Sequence, residues 1–126
     1  DPIKNEIFYA EKNNGAFFNN QRIRVSKKKK IEECLFGTGG KNEINFNLNT
    51  RKSGSAALDM AYVGAGRYDG YFQKNLNIWD IAAGIIIVKE AGGKINDIKY
   101  SVDKEIKILA GSNSIYDKML EKLINF

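Results

Sequence analysis

The amino-acid sequence predicts an α/β fold: antiparallel hairpin strands come first, and alternating helices and strands that form a mixed sheet covered by helices follow. Three observations support this prediction. Residues 3–25 have a strand, turn, strand pattern around Asn13-Asn14-Gly15, apolar residues recur at helical spacing from Ser53 onward, and short strand-like runs separate the helical segments. Strands that alternate with helices are typical of a layered α/β domain.

The N-terminal segment has the pattern of a hairpin followed by a third strand. Ile7 to Ala10 leads into Asn13-Asn14-Gly15, and Ala16 to Phe18 leads out. Asparagine and glycine tolerate the positive φ that tight hairpin turns require. Arg22 to Val25 alternates polar and apolar residues, which predicts a strand with one packed and one solvated face.

The remaining elements follow from apolar spacing and helix-end residues. Ser55 to Ala65 places alanines four residues apart, which predicts a thin helix that packs closely. Asp80 stands in front of an almost wholly apolar segment and is predicted to be the N-cap of a helix, Ile81 to Ala91, that is buried on all sides. The last helix is predicted to start at Ser112 or Ser114 and to run to Ile124. The other predicted strands are Cys34 to Gly40, Tyr68 to Gln73, Lys94 to Ile98 and Ile106 to Ala110.

Composition limits the chemistry that the chain can perform. The 126 residues correspond to one domain, and they include no histidine and one cysteine, Cys34. Imidazole-dependent triads, histidine-ligated zinc and an internal disulfide are therefore excluded. Catalysis would have to use carboxylates, lysines, hydroxyls or a hard cation on oxygen ligands. Cys34 is expected in a core strand.

Charge and hydropathy indicate a cytoplasmic protein that needs neither a membrane nor nucleic acid. The net charge is +5, but lysine, asparagine and isoleucine are all abundant, which is the bias expected from A- and T-rich codons. The Lys27 to Lys30 run is interpreted as a solvated loop, with a nucleic-acid contact as the less favoured alternative. No apolar stretch is long enough to cross a bilayer, and the N-terminus shows no signal peptide.

Several motifs, in order, resemble the inositol monophosphatases, and most closely the bacterial branch of that family. The hairpin from Asp1 to Val25 matches the family's pattern. So do these later segments: Gly54-Ser55-Ala56-Ala57-Leu58-Asp59, Gly66-Arg67-Tyr68-Asp69-Gly70-Tyr71, Trp79-Asp80-Ile81-Ala82-Ala83-Gly84, Glu90-Ala91-Gly92-Gly93 and Leu109-Ala110-Gly111-Ser112-Asn113. The resemblance covers essentially the whole chain and implies a layered sugar-phosphatase-like fold.

The resemblance also implies an activity and a site. The family hydrolyses small phosphate monoesters with magnesium, is sensitive to lithium and is commonly dimeric. By resemblance, Asp80 is a metal ligand, Gly54, Ser55 and Ala56 contact the substrate, and Gln73 stands where other members carry a glutamate that binds inositol hydroxyls. Inositol monophosphate is thus the first candidate substrate, although the amide in place of a carboxylate weakens that assignment.

Without the resemblance, purely structural roles for the same residues stay open. Asp80 can serve as an N-cap alone, and Gly54-Ser55-Ala56 as a closely packed helix start. Asp69 is expected to serve the fold.

Two departures from the family pattern indicate that this chain can resemble the family without having its activity. The motif Asp-Pro-Ile/Leu-Asp-Gly-Thr, which supplies further metal ligands, is absent, and Lys4 follows Asp1-Pro2-Ile3 instead. Residues 40–50 replace a longer segment. The chain is therefore expected to correspond to a C-terminal half, with 1–30 as strands of the central sheet and 31–126 as an α/β subdomain, and to be inactive in isolation. The alternative is a non-catalytic interaction or dimerisation module that contacts transcription or RNA machinery.

Overall fold

Two β-sheets and three α-helices form the described part of the computed structural model, which comprises residues 7–39, 48–98 and 106–123. The strands are β1 (Phe8–Glu11), β2 (Gly15–Phe18), β3 (Gln21–Arg22), β4 (Leu35–Thr38), β5 (Asn49–Arg51), β6 (Gly70–Leu76), β7 (Lys94–Ile95) and β8 (Ile106–Gly111). The helices are α1 (Ala56–Gly64), α2 (Ile78–Glu90) and α3 (Tyr116–Lys122). Within these ranges, no helix combines the length and the apolar character needed to cross a bilayer.

The predicted hairpin is present. β1 and β2 pair antiparallel, and the turn between them places Asn13 at φ 70° and Gly15 at φ 93°. The third strand, predicted over Arg22 to Val25, is wrong in its extent, because β3 ends at Arg22. The chain then leaves the sheet, and the Val25 amide donates to the carbonyl of Ala91 at the end of α2 (3.0 Å).

The second sheet is mixed, as predicted. Its strand order is β5-β4-β6-β8-β7, with β4 parallel to β5 and β6, and β8 antiparallel to β6 and β7. Successive residues of a strand face opposite sides of a sheet. Tyr71 and Ile108 accordingly pack with α1 and α2, whereas Phe72 and Leu109 pack with α3. The hairpin sheet lies on the outer side of the α1 and α2 pair, so the helices are packed between two sheets.

The division of the chain into a strand segment over 1–30 and an α/β subdomain over 31–126 stays a prediction.

Helix α2 differs from its prediction in two ways. It begins at Ile78 after Asn77, whose carbonyl accepts the Asp80 amide (3.1 Å), so Asp80 is the third helical residue and the prediction that it is the N-cap was wrong. The prediction that Ile81 to Ala91 is buried on all sides was also wrong, because Ile86 is 43% exposed and Ala82 is exposed as well. The apolar composition of α2 reflects contact with both sheets, which leaves a third side uncovered by the described residues.

Other predicted boundaries were also wrong. The strand predicted over Tyr68 to Gln73 is β6, Gly70–Leu76, and side chains form hydrogen bonds with the backbone where β7 and α3 differ from their predictions. β7 ends at Ile95, since the Asn96 side chain accepts from the Leu109 amide (2.8 Å) and donates to the Lys107 carbonyl (2.9 Å). α3 starts at Tyr116, after a turn in which Ser114 Oγ donates to the Lys28 carbonyl (2.6 Å). Ile124, the predicted helix end, lies outside the described residues.

Asp69 and Cys34 serve the fold, as expected. The Asp69 carboxylate accepts from the Leu35 amide (2.8 Å) and pairs with Lys28 (3.4 Å), which ties the lysine loop to β4. Cys34 is 1% exposed, and burial, followed by the charge of Asp69, raises the pKa of its thiol to about 11. A thiol with so little thiolate is a poor nucleophile.

Candidate functional site

One cavity of about 550 Å³ lies where the N-termini of α1 and α2 meet the ends of β4 and β6. Its wall is formed by Gly39, Gly54, Ser55, Ala56, Ala57, Asp59, Gln73, Leu76, Trp79 and Asp80. All five residues assigned to a site by resemblance, Gly54, Ser55, Ala56, Gln73 and Asp80, are among them. The cavity therefore brings together side chains from three separate stretches of sequence.

The N-terminus of α1 is shaped by two serines. Ser55 is the N-cap and its hydroxyl accepts from the Leu58 amide (3.1 Å). Ser53 Oγ accepts from the Ser55 amide (3.1 Å), which closes a tight turn around Gly54 at φ 85°. Among the described residues, no atom lies within 4 Å of the position that a Cβ would take at Gly54, so these residues leave the approach to this backbone open from the cavity. The amides of the first helical turn precede the first intrahelical bond and can receive an anion.

The N-terminus of α2 reaches the same cavity. Asn77 has extended backbone angles and its side chain makes no capping bond, while Asp80 stands in the first turn with an exposed carboxylate. The positive end of the α2 dipole favours a negative charge at this position. Trp79, which is 87% exposed, forms the rim.

Asp59 is a wall residue of the cavity that sequence reasoning missed. It is 1% exposed, and its Oδ1 atom has no hydrogen-bond partner among the described residues. Burial raises the pKa of this carboxyl, and a hydrogen bond with Ser53 lowers it by a smaller amount. A buried carboxylate oxygen without a partner is costly, and such groups are enriched at functional sites. An acidic residue within the alanine pattern of α1 was the signal that could have found it.

Gln73 projects from β6 just before an irregularity in that strand. The register of β6 against β8 shifts between Gln73 and Leu76, and Asn75 has φ 64°. Irregularities of this kind re-aim side chains at the edges of sites. The buried Tyr71 hydroxyl donates to Gln73 Oε1, and burial, followed by the charges of Asp59 and Asp80, raises the pKa of Tyr71.

The donor chemistry of the cavity fits part of a site for a hard cation. Asp59 and Asp80 offer the carboxylate oxygens that magnesium prefers. Over the ranges that the structure describes, no group of three or more histidine, cysteine, aspartate or glutamate side chains is placed to hold a metal. These residues could therefore supply one or two ligands of an ion, and further ligands would have to come from elsewhere.

The sequence as a whole matches one protein family, described as the inositol monophosphatase family, over residues 1–125. It is 51% identical over 105 residues to a fructose-1,6-bisphosphatase/inositol-1-monophosphatase of Thermotoga maritima, covering 76% of this chain and 41% of that protein. It is 37% identical to the Nus factor SuhB of Pseudomonas aeruginosa, covering 95% of this chain and 51% of that protein.

The fold agrees with that match. The structure of inositol monophosphatase from Anabaena (Nostoc) superimposes with a TM-score of 0.88 at 33% identity, covering 99% of this chain and 59% of that chain. The chain thus spans about half the length of the relatives that it matches. On both sequence and fold, the chain belongs to the inositol monophosphatase family.

Proposed function

We propose that the protein carrying this chain hydrolyses a small phosphate monoester with magnesium, and that inositol monophosphate is the first substrate to test. The observation behind this proposal is the cavity itself, where two helix N-termini and two carboxylates, Asp59 and Asp80, share one wall. Helix N-termini suit a phosphate group, and carboxylates suit a hard cation. A site for magnesium-assisted phosphate transfer needs both features together.

The turn at the start of α1 is proposed to bind the substrate. Gly54, Ser55 and Ala56 carry small side chains, and the space beside Gly54 is open. A phosphate or a hydroxylated ring can therefore approach the backbone amides closely. Gln73, on the neighbouring strand, would contact the part of the substrate that lies away from the phosphate.

Asp80 is proposed to be a metal ligand. Its carboxylate is exposed to the cavity at the start of α2, where it can bind an ion without a large desolvation penalty. When bound, magnesium supplies an activated water and neutralises phosphate charge, and by family resemblance lithium would inhibit. Because this chain covers about half the length of its relatives, we expect the isolated 126 residues to bind magnesium weakly and to show near-background turnover.

The test compares two aspartates at similar positions in different helices. Asp80→Asn keeps the size of the side chain but removes one charge from the cavity. Asp117→Asn makes the same change in the first turn of α3, outside the cavity wall. In the longest protein that the coding sequence provides, we expect Asp80→Asn to weaken magnesium binding and to abolish most hydrolysis of inositol 1-phosphate, with Asp117→Asn unchanged. Wild-type magnesium affinity and turnover in Asp80→Asn would refute the assignment.

A second candidate function is a non-catalytic interaction module. The Pseudomonas aeruginosa relative is named as a Nus factor, and the exposed side of α2 presents Trp79 and Ile86 to a partner. The DNA sequence upstream of Asp1 separates the two candidates. The family motif Asp-Pro-Ile/Leu-Asp-Gly-Thr encoded there favours the enzyme, and a start codon a few residues upstream favours the interaction module. A homodimer and a cytoplasmic location are part of the proposal for either function, and sedimentation of the purified protein tests the first.

A further inference from the structure

We propose that a basic groove at the C-terminal end of α2 binds a small anion that carries two or more adjacent phosphate groups. The groove has a volume of about 480 Å³, and three cationic side chains line it: Arg24, Lys27 and Lys29. The candidate site lies at the N-terminal end of the same helix, which is 13 residues long, so the two sites are about 20 Å apart. Their described walls share no residue, and the groove is therefore a separate site that does not depend on the proposed phosphatase function.

The positive charge of the groove is not balanced within the described part of the chain. No carboxylate belongs to the groove wall there, and the side chains of Arg24, Lys27 and Lys29 make no hydrogen bond or ion pair with a described residue. The negative end of the α2 dipole opposes an anion with only about half an elementary charge, against three positive charges. Because like charges around one concavity repel each other, an anion in the groove lowers the electrostatic free energy.

The fold divides the four-lysine run between two roles. Lys28 turns toward the body of the protein, where its Nζ atom lies 3.4 Å from the buried carboxylate of Asp69, so its charge is compensated. Lys27 and Lys29, on either side of it, both line the groove. Arg24 joins them from the preceding part of the chain, which raises the positive charge of the groove above what the run alone provides.

Hydrogen bonds hold the backbone of this segment in place. Ser114 Oγ donates to the carbonyl of Lys28 (2.6 Å), and Lys118 Nζ donates to the carbonyl of Lys29 (2.6 Å). The amide of Val25 anchors the same segment to the end of α2. A site whose backbone is already fixed loses less conformational entropy when a ligand binds, so these bonds favour affinity.

The shape and composition of the groove favour a compact phosphate anion over a nucleic acid strand. A volume of about 480 Å³ lies in the range of small-molecule sites. Binding of single-stranded nucleic acid relies on aromatic side chains that stack on the bases, and the described wall contains none. Lysine is a compact point charge that suits phosphate oxygens, and Asn113 adds a neutral donor. Three cations exceed the charge of a single phosphate group, which indicates a ligand with at least two.

Calorimetric titration with tripolyphosphate tests the proposal. The protein is the longest that the coding sequence provides, and the buffer is free of magnesium, so that the carboxylates of the candidate site keep the anion out of that cavity. We expect tripolyphosphate to bind at least about tenfold more tightly than inorganic phosphate, and its affinity to fall about tenfold when Lys27→Gln and Lys29→Gln are combined, since each exposed charge pair contributes up to about fivefold. The control combines Lys12→Gln with Lys122→Gln, which removes the same charge from exposed positions outside the groove wall and should leave the affinity unchanged.

Thermal melts give a second measurement that does not depend on heats of binding. Tripolyphosphate should raise the Tm of the wild type and of the control, but not that of the groove variant. Without the anion, the groove variant should melt no lower than the wild type, because it lacks the repulsion between the lysines. No binding of tripolyphosphate, or equal affinity in the wild type and the groove variant, would overturn the proposal. Binding of a single-stranded oligouridylate through the same two lysines, without binding of tripolyphosphate, would overturn the assigned class of ligand.

Discussion

Replacing Asp59 with asparagine should stabilise the protein at neutral pH. The carboxylate is 1% exposed, lies beside Tyr68 and Tyr71, and leaves Oδ1 without a partner in the described structure. Asparagine has the same shape and can keep a hydrogen bond with Ser53, but it does not place a net charge in the interior. Burying an unpartnered group costs about 1–3 kcal/mol, and more when the group is charged, so removing the charge recovers desolvation free energy of this order. We therefore expect Asp59→Asn to raise the free energy of unfolding by roughly that amount at pH 7.

The effect should depend on pH in a defined direction. Burial raises the pKa of Asp59 above its ordinary value of 3.8, so the folded state binds more protons than the unfolded chain between these two values. Wild-type stability due to this group therefore falls as pH rises through that window, and the loss is complete above the folded pKa. The advantage of Asp59→Asn should accordingly be small in acid, where the carboxyl is protonated, and should reach its full size above the window.

Urea denaturation at a series of pH values measures this difference. With a urea m-value of about 1–3 kcal/mol/M for a small protein, the midpoint of Asp59→Asn should move up by roughly 1 M at pH 7 while m stays constant. Arg51 lies on the neighbouring edge strand, so Arg51→Gln controls for a general change in local charge and should not reproduce the pH-dependent gain. A variant less stable than wild type at pH 7, or a gain of equal size at all pH values, would refute the reasoning.

Two further substitutions test the packing that positions the cavity. Backbone hydrogen bonds from the hairpin turn lower the pKa of Glu90. The contribution of Glu90 to stability is therefore present above the ordinary pKa of 4.5 and disappears as pH falls through the folded pKa. Glu90→Gln should destabilise the fold at pH 7 but not in strong acid, and thermal melts at the two pH values measure this. Gly84→Ala places a Cβ 2.8 Å from Met60 Cβ, a clash that no rotamer change relieves. Its cost of about 1–3 kcal/mol exceeds the roughly 1 kcal/mol gained in helix propensity, so the urea midpoint should fall, whereas the exposed Ala82→Gly reports the propensity effect alone.

Local sequence predicted the elements of this fold well where single residues determine the backbone conformation. The Asn-Gly turn requires positive φ and was placed correctly. The helix predicted over Ser55 to Ala65 is present as α1, with Ser55 as its cap. The start of α2 was misplaced because Asn77 and Asp80 are about equally good caps. The choice between them depends on where β6 ends after its register shift. That position is set by pairing with β8, which the local sequence does not encode.

The sequence predicted only part of the site, because contacts between distant segments also decide which residues line the cavity. The residues carried over by resemblance line one cavity, but Asp59 was overlooked because its neighbours form a plain alanine pattern. Its significance depends on the contact between α1 and Gly37 of β4, where a Cβ would lie 3.2 Å from the Asp59 carboxyl carbon. Pairing of a helix with a strand that is distant in sequence cannot be derived from the periodicity of either segment.

The charges around the cavity predict that phosphate and magnesium each increase the affinity of the chain for the other. The two helix N-termini attract a phosphate, but Asp59 and Asp80 repel it from the same wall. Phosphate should therefore bind weakly to the 126-residue chain alone and more tightly when magnesium is present to offset the carboxylate charge. Because coupling is reciprocal, phosphate must also tighten magnesium binding by the same factor. Isothermal titration of inorganic phosphate with and without magnesium measures the first effect, and titration of magnesium with and without phosphate measures the second. In Asp80→Asn, phosphate should bind better without magnesium and gain less from it. Equal phosphate affinity with and without magnesium in the wild type would show that the carboxylates do not share the anion's site.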